Sequence, residues 1–87
     1  MGLDTVELAL AVEKRFSITI PNEVAARLAT VGQMHQFIIE QLKRESSPEP
    51  NRDEVYVTLT DVICHQLGVR REDVTPNAHF VYDLGAD

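Results

Sequence analysis

Nine consecutive residues in the middle of the chain, Glu45-Ser-Ser-Pro-Glu-Pro-Asn-Arg-Asp53, hold two prolines, two serines and no apolar side chain. Such a run has nothing to bury, and its prolines keep it extended, so it reads as a solvated, fairly stiff linker. It cuts the sequence in two. At 87 residues the chain is too small to divide into two cores, so the flanking segments belong to one domain with one small core. They differ in charge. From Met1 to Arg44 five acids balance five bases, whereas from Glu45 to Asp87 nine acids face Arg52, Arg70 and Arg71, which places the whole net charge of −6 in the second segment.

Helical periodicity runs through both segments. Leu3, Val6, Leu10 and Phe16 recur at helical spacing, with Asp4 and Glu7 near the end where the helix dipole favours anions, predicting a first helix over about Leu3 to Arg15. Ile18-Thr-Ile20 then meets Pro21, and the residue before a proline is pushed out of the α region, so this piece is an extended loop. Pro21 can occupy a first turn, and Glu23 to Leu28 suits a short helix. Thr30 can cap a third helix with the stripe Val31, Met34, Phe37, Ile38 and Leu42. After the linker, Asp53 can cap a helix whose face is Val55, Leu59, Val62, Ile63 and Leu67, with Gly68 as its stop. From Val69 to Asp87 no period appears, which predicts a long loop dropping Val74, Phe80 and Leu84 onto the core. With no strand pattern, the fold class is all-α, three main helices plus a short one.

Several function classes are excluded by composition. A net charge of −6 disfavours nucleic acid and favours basic protein surfaces. The longest apolar runs, such as Leu8 to Val12, fall far short of the roughly 20 residues of a membrane span. No basic stretch followed by an apolar one opens the sequence, so a cytoplasmic address is expected. Cys64 is the single cysteine, which allows no internal disulfide. His35, His65 and His79 lie in unrelated segments without metal-ligand spacing, and the four glycines form no phosphate loop. A stand-alone enzyme is not expected.

Read in the opposite order, the two segments resemble an acyl carrier protein. Leu67-Gly-Val-Arg-Arg-Glu-Asp-Val-Thr-Pro-Asn-Ala-His-Phe-Val-Tyr-Asp-Leu-Gly-Ala-Asp87 is similar to the end of that family's first helix and its long loop, where Asp-Leu-Gly-Ala-Asp runs into Ser-Leu-Asp. Leu3-Asp-Thr-Val-Glu-Leu-Ala-Leu-Ala-Val-Glu-Lys-Arg-Phe16 resembles the second helix, and Ile18-Thr-Ile-Pro-Asn-Glu23 with Ala29-Thr-Val31 the approach to the third and fourth. The resemblance implies an acyl-carrier-like bundle in circularly permuted order. It is a single domain over 1–87 in which 1–43 matches the family's second half, 44–53 is a linker and 54–87 matches the first half. About ten linker residues span at most about 33 Å, ample if the family's ends lie close together.

The family carries acyl intermediates as thioesters on 4′-phosphopantetheine, for fatty acid or polyketide synthesis, and performs no catalysis itself. A phosphopantetheinyl transferase attaches the group to the serine that opens the second helix. Gly2 stands in that place and has no hydroxyl, so this chain is expected to stay without the cofactor. Gly2 is read as a residue left where the gene was opened, as a loss of function, or as the start of a piece clipped from a tandem with serine after Asp87. By resemblance, Asp87, Leu3, Asp4, Val6, Glu7, Leu10 and Glu13 meet the basic surfaces of acyl-processing enzymes, although Lys14-Arg15 departs from the acids the family often keeps there. Val12, Leu28, Phe37, Ile38, Val62, Ile63 and Phe80 are the expected acyl pocket or else a solid core, and Ala9, Ala11, Ala25, Ala26 and Ala29 leave room in the interior. The alternative is a helical interaction module without carrier function. The chain is expected as a monomer or as a homodimer that exchanges halves across the linker.

Overall fold

In the computed structural model, which describes residues 3–45 and 50–86, four α-helices and one 3-10 turn follow one another as α1 (Leu3–Phe16), α2 (Asn22–Ala25), α3 (Val31–Glu45), α4 (Arg52–Leu67) and the turn Arg71–Asp73. The described residues form an all-α bundle, and the only β pairing among them is an isolated bridge between Thr30 and His79. Both linker ends are helical. α3 runs to Glu45 and α4 starts at Arg52, which leaves 46–51 as the connection, with 46–49 outside the described residues.

Local chemistry sets the helix ends. Ser17 takes a left-handed φ of 56° after α1, and Ile18 N–H closes the helix on the Glu13 carbonyl at 3.1 Å. α2 is shorter than the expected Glu23 to Leu28, because Arg27 and Leu28 bond three residues back, to Val24 and Ala25, rather than continuing the α pattern. α3 opens on a reciprocal cap. Thr30 Oγ1 accepts from Gln33 N–H at 3.3 Å while Gln33 Oε1 accepts from the N–H groups of Thr30 and Ala29 at 3.1 and 2.7 Å. The cap of α4 is Asn51, not Asp53, its Oδ1 accepting from Glu54 N–H at 3.0 Å. The helix begins one turn fraction earlier than expected, and Asp53 and Glu54 fall in its first turn, where their charges favour the dipole. Gly68, at φ 69°, ends α4.

The core is one cluster drawn from both sides of the linker. Leu8, Val12, Ile18, Ile20, Val31, Met34, Ile38 and Ile39 come from the first segment, and Val55, Leu59, Ile63, Val74, Ala78, Phe80, Leu84 and Ala86 from the second. α4 lies against α1, α3 and the 3-10 turn. Being covered on several sides, it buries even Thr60, whose hydroxyl donates to the Tyr56 carbonyl at 2.9 Å. Tyr56 in turn donates to the Val74 carbonyl at 3.3 Å, pinning the chain beyond the 3-10 turn, and burial pushes its pKa up, which favours the protonated donor.

In α1 the core side differs from the expected stripe. Leu8 and Val12 are buried, whereas Val6 and Leu10 are 44% and 54% exposed. The two pairs share the same four-residue spacing on a helix apolar on both sides, and packing against α4 selects one. No helix among the described residues is long and apolar enough to cross a membrane.

Candidate functional site

The exposed side of α1 is the candidate site, built by three neighbouring elements. Leu8 and Val12 hold the helix down on the core and thereby turn Val6, Glu7 and Leu10 outward. Ile18 and Ile20 are buried and anchor the strap between α1 and α2. Glu13 Oε2 accepts from Ile20 N–H at 2.6 Å, so this half-buried carboxylate secures the strap as well as lying on the expected docking side. The backbone of Leu3 and Asp4 belongs to α1. Their side chains, together with Gly2 and Asp87, lie outside the described residues.

Between α1 and α2 runs a cleft of about 380 Å³ whose lining includes Val6, Ala9, Leu10, Ile20, Ala25 and Ala26. Glu13 and Asn22 also line it, so its walls are mostly but not wholly apolar. The residues expected to form either an acyl pocket or a solid core do not line this cleft. Val12, Ile38, Ile63 and Phe80 are buried in the core, and Leu28, Phe37 and Val62 pack half-buried against it. Of the cleft residues, the three alanines carried the visible signal, small side chains that leave room. Ile20, Val6 and Leu10 gave none for a cleft, because it depends on the angle at which α2 crosses α1.

The loop over 74–86 is stitched to the start of α3. Gly32 and Val31 N–H donate to the Pro76 and Ala78 carbonyls at 2.8 and 3.0 Å, and Phe80 N–H donates to Ala29 at 2.9 Å. Gly32 is required by this approach, since a Cβ there would meet the Pro76 carbonyl oxygen at 2.9 Å. His79 caps the last turn, its Nδ1 accepting from Val81 and Tyr82 N–H at 3.1 and 3.2 Å while Asp83 Oδ2 accepts from its N–H at 2.7 Å. His35 bonds the Arg52 carbonyl at 3.0 Å through Nε2 and meets Tyr56 edge to face. Cys64 is half-buried against the core. Among the described residues no group of three or more His, Cys, Asp or Glu side chains is placed to hold a metal ion.

Comparison with known proteins finds partial similarity to one kind of protein. An acyl carrier protein of Wolinella succinogenes is 50% identical over 37 residues, 42% of this chain and 49% of that protein. The acyl carrier protein of Prochlorococcus marinus is 56% identical over 37 residues, and that of Picosynechococcus sp. 49% identical over 40. The chain is related to acyl carrier proteins. It spans about half the length of the curated relatives it matches. No family model and no solved structure matches it. Ser17 is the one serine among the described residues, and it stands past the C-terminal end of α1. That helix is 14 residues long, or about 21 Å.

Proposed function

We propose that the chain is an acyl-carrier-type domain in permuted order, which keeps the docking side of α1 but not the attachment point. The observation that carries this is a mismatch of extents. Similarity to acyl carrier proteins stops after 37 to 40 residues and about half of each relative, yet both sides of the linker contribute to one core. A collinear comparison with a permuted chain must break off where the order changes, so a half-length match to a whole fold is what permutation would leave.

The residues present do not fit a serine-linked 4′-phosphopantetheine. Position 2 is glycine, without a side-chain oxygen, and Ser17 is at the wrong end of the helix. In this reading the chain does no catalysis and stays without the group. Leu3, Asp4, Val6, Glu7, Leu10, Glu13 and Asp87 meet basic surfaces of acyl-processing enzymes or of the transferase, and the core residues Val12, Leu28, Phe37, Ile38, Val62, Ile63 and Phe80 would have to part to admit an acyl chain. The address is expected to be the cytoplasm, and the pathway fatty acid or polyketide synthesis.

The test uses a phosphopantetheinyl transferase, coenzyme A and mass spectrometry. No adduct is expected on the chain as it stands. A reordered chain, with 50–87 first, then serine, then 3–45, restores Asp-Leu-Gly-Ala-Asp-Ser-Leu-Asp and should gain one phosphopantetheine on that serine. A folded reordered chain left unmodified would remove the carrier reading.

The packing of α1 on α4 forms within one chain in a monomer and between two chains in the half-exchanged dimer, so mass separates the two, and a monomer is expected. Light scattering should give a mass near 9.8 kDa; a mass near twice that would favour the swap.

A further inference from the structure

The loop beyond the 3-10 turn closes on one short helical turn. Asp83 and Leu84 N–H donate to the His79 carbonyl at 2.9 and 3.1 Å, Gly85 N–H to the Val81 carbonyl at 3.2 Å and Ala86 N–H to that of Phe80 at 2.8 Å. Like any helical start, this turn leaves its first N–H groups without backbone partners. The His79 ring takes two of them, Nδ1 accepting from Val81 and Tyr82 N–H at 3.1 and 3.2 Å. Those are the donors that a serine, threonine, asparagine or aspartate cap ordinarily satisfies.

Histidine differs from those caps in that an imidazole gains a proton close to neutral pH. Two donors converging on Nδ1 require a lone pair there, so the ring carries its proton on Nε2. An imidazolium has protons on both nitrogens and accepts nothing. The other two histidines are placed differently: His35 bonds the Arg52 carbonyl, which accepts from a neutral or a charged ring alike, and His65 is exposed. His79 is half-buried beside exposed Val81, Tyr82 and Asp83, so protons reach it. The charged groups around it are Asp83, whose Oδ2 accepts from His79 N–H at 2.7 Å, and, on the chain leading to its bridge partner Thr30, Arg27, which donates to the Glu23 carbonyl. The first turn of α3 holds no acid. The Tyr82 ring lies 4.3 Å from the imidazole, centroid to centroid. A charged ring that turns to the Asp83 carboxylate leaves the cap and takes from His79 N–H its acceptor.

We propose that His79 is a titratable cap: the neutral ring holds this turn closed, and its protonation releases Val81 to Asp83 between Phe80 and Leu84, whose side chains are buried in the core. The closed turn takes no proton at Nδ1 and the open turn does, so acid draws the equilibrium toward opening. The cap's contribution is therefore present above the range in which an imidazole titrates and is lost as pH falls through it. The device rests on the ring and the turn alone and does not depend on the carrier reading.

The test is amide exchange with water, read by NMR on the full chain at about pH 7.5 and about pH 5.5, on either side of imidazole titration. Rates are expressed as protection factors, so that the pH dependence of intrinsic exchange cancels. Protection of Val81, Tyr82 and Asp83 should fall about fivefold in acid, the loss of one cap, while amides inside α3 and α4 hold theirs. His79→Asn supplies a cap that does not titrate; it should keep the protection seen at the higher pH within about twofold and show no fall. His65→Gln should retain the fall of the unaltered chain. Equal protection of the unaltered chain at both pH values, an equal fall in His79→Asn, or disappearance of the fall in His65→Gln would overturn the proposal.

Discussion

Replacing Leu8 with alanine should lower stability by about 2–5 kcal/mol, while Leu10→Ala, two residues on, should change it by less than about 0.5 kcal/mol. Leu8 is 2% exposed and sits in the core, whereas Leu10 is 54% exposed. Deleting a buried isobutyl group loses its transfer free energy and leaves a cavity that α1 and α4 can only partly close. At about 4–8 °C of melting temperature per kcal/mol for a domain of this size, thermal unfolding should separate the two variants by at least about 6 °C. Equal shifts would mean that α1 is rotated about its axis, and the docking side assigned to Val6, Glu7 and Leu10 would have to move with it. The pair therefore tests the candidate site through stability alone, without a partner enzyme.

That pair also shows where the sequence stops being informative. Val6 with Leu10 and Leu8 with Val12 are both apolar at a spacing of four, so periodicity offers two faces and cannot rank them. Only the presence of α4, packed on one of them, decides. Asn51 and Asp53 pose the same problem on a smaller scale. Both side chains can cap, and the one chosen depends on where the chain leaves Pro50 and turns into α4. By contrast, Thr30, Gly68 and the burial of Val74, Phe80 and Leu84 were legible because each rests on local chemistry or on an apolar residue isolated among polar ones. Thr60 and Ile39 were not, since a helix covered by several neighbours buries residues off its main stripe. The mostly apolar cleft between α1 and α2 belongs to the same class: its alanines are visible in the sequence, but the crossing that makes them a wall is tertiary.

The largest single loss should come from Phe80→Ala, about 3–5 kcal/mol, a major share of the roughly 5–15 kcal/mol that holds a small domain together. Phe80 is 3% exposed while its neighbours Val81 and Tyr82 are 43% and 84% exposed, so this ring is the bulkiest anchor of a loop that also buries Ala78, Leu84 and Ala86. The anchor is coupled to the backbone. Phe80 N–H bonds Ala29, the Phe80 carbonyl accepts from Ala86 N–H at 2.8 Å, and Val31 and Gly32 bond Ala78 and Pro76 on the same strip. Removing the ring should loosen these bonds together, so amides from Ala78 to Ala86 should exchange faster than those of α3 at temperatures where the fold persists. Tyr82→Ala should leave melting and exchange nearly unchanged. The comparison bears on function because this strip carries Asp83-Leu84-Gly85-Ala86, the residues that in the permuted reading lead toward the start of α1. If Phe80→Ala frees the strip and also abolishes modification of the reordered, serine-bearing chain, the long loop positions the attachment point. If modification persists at full rate on a loosened strip, recognition resides in α1 alone.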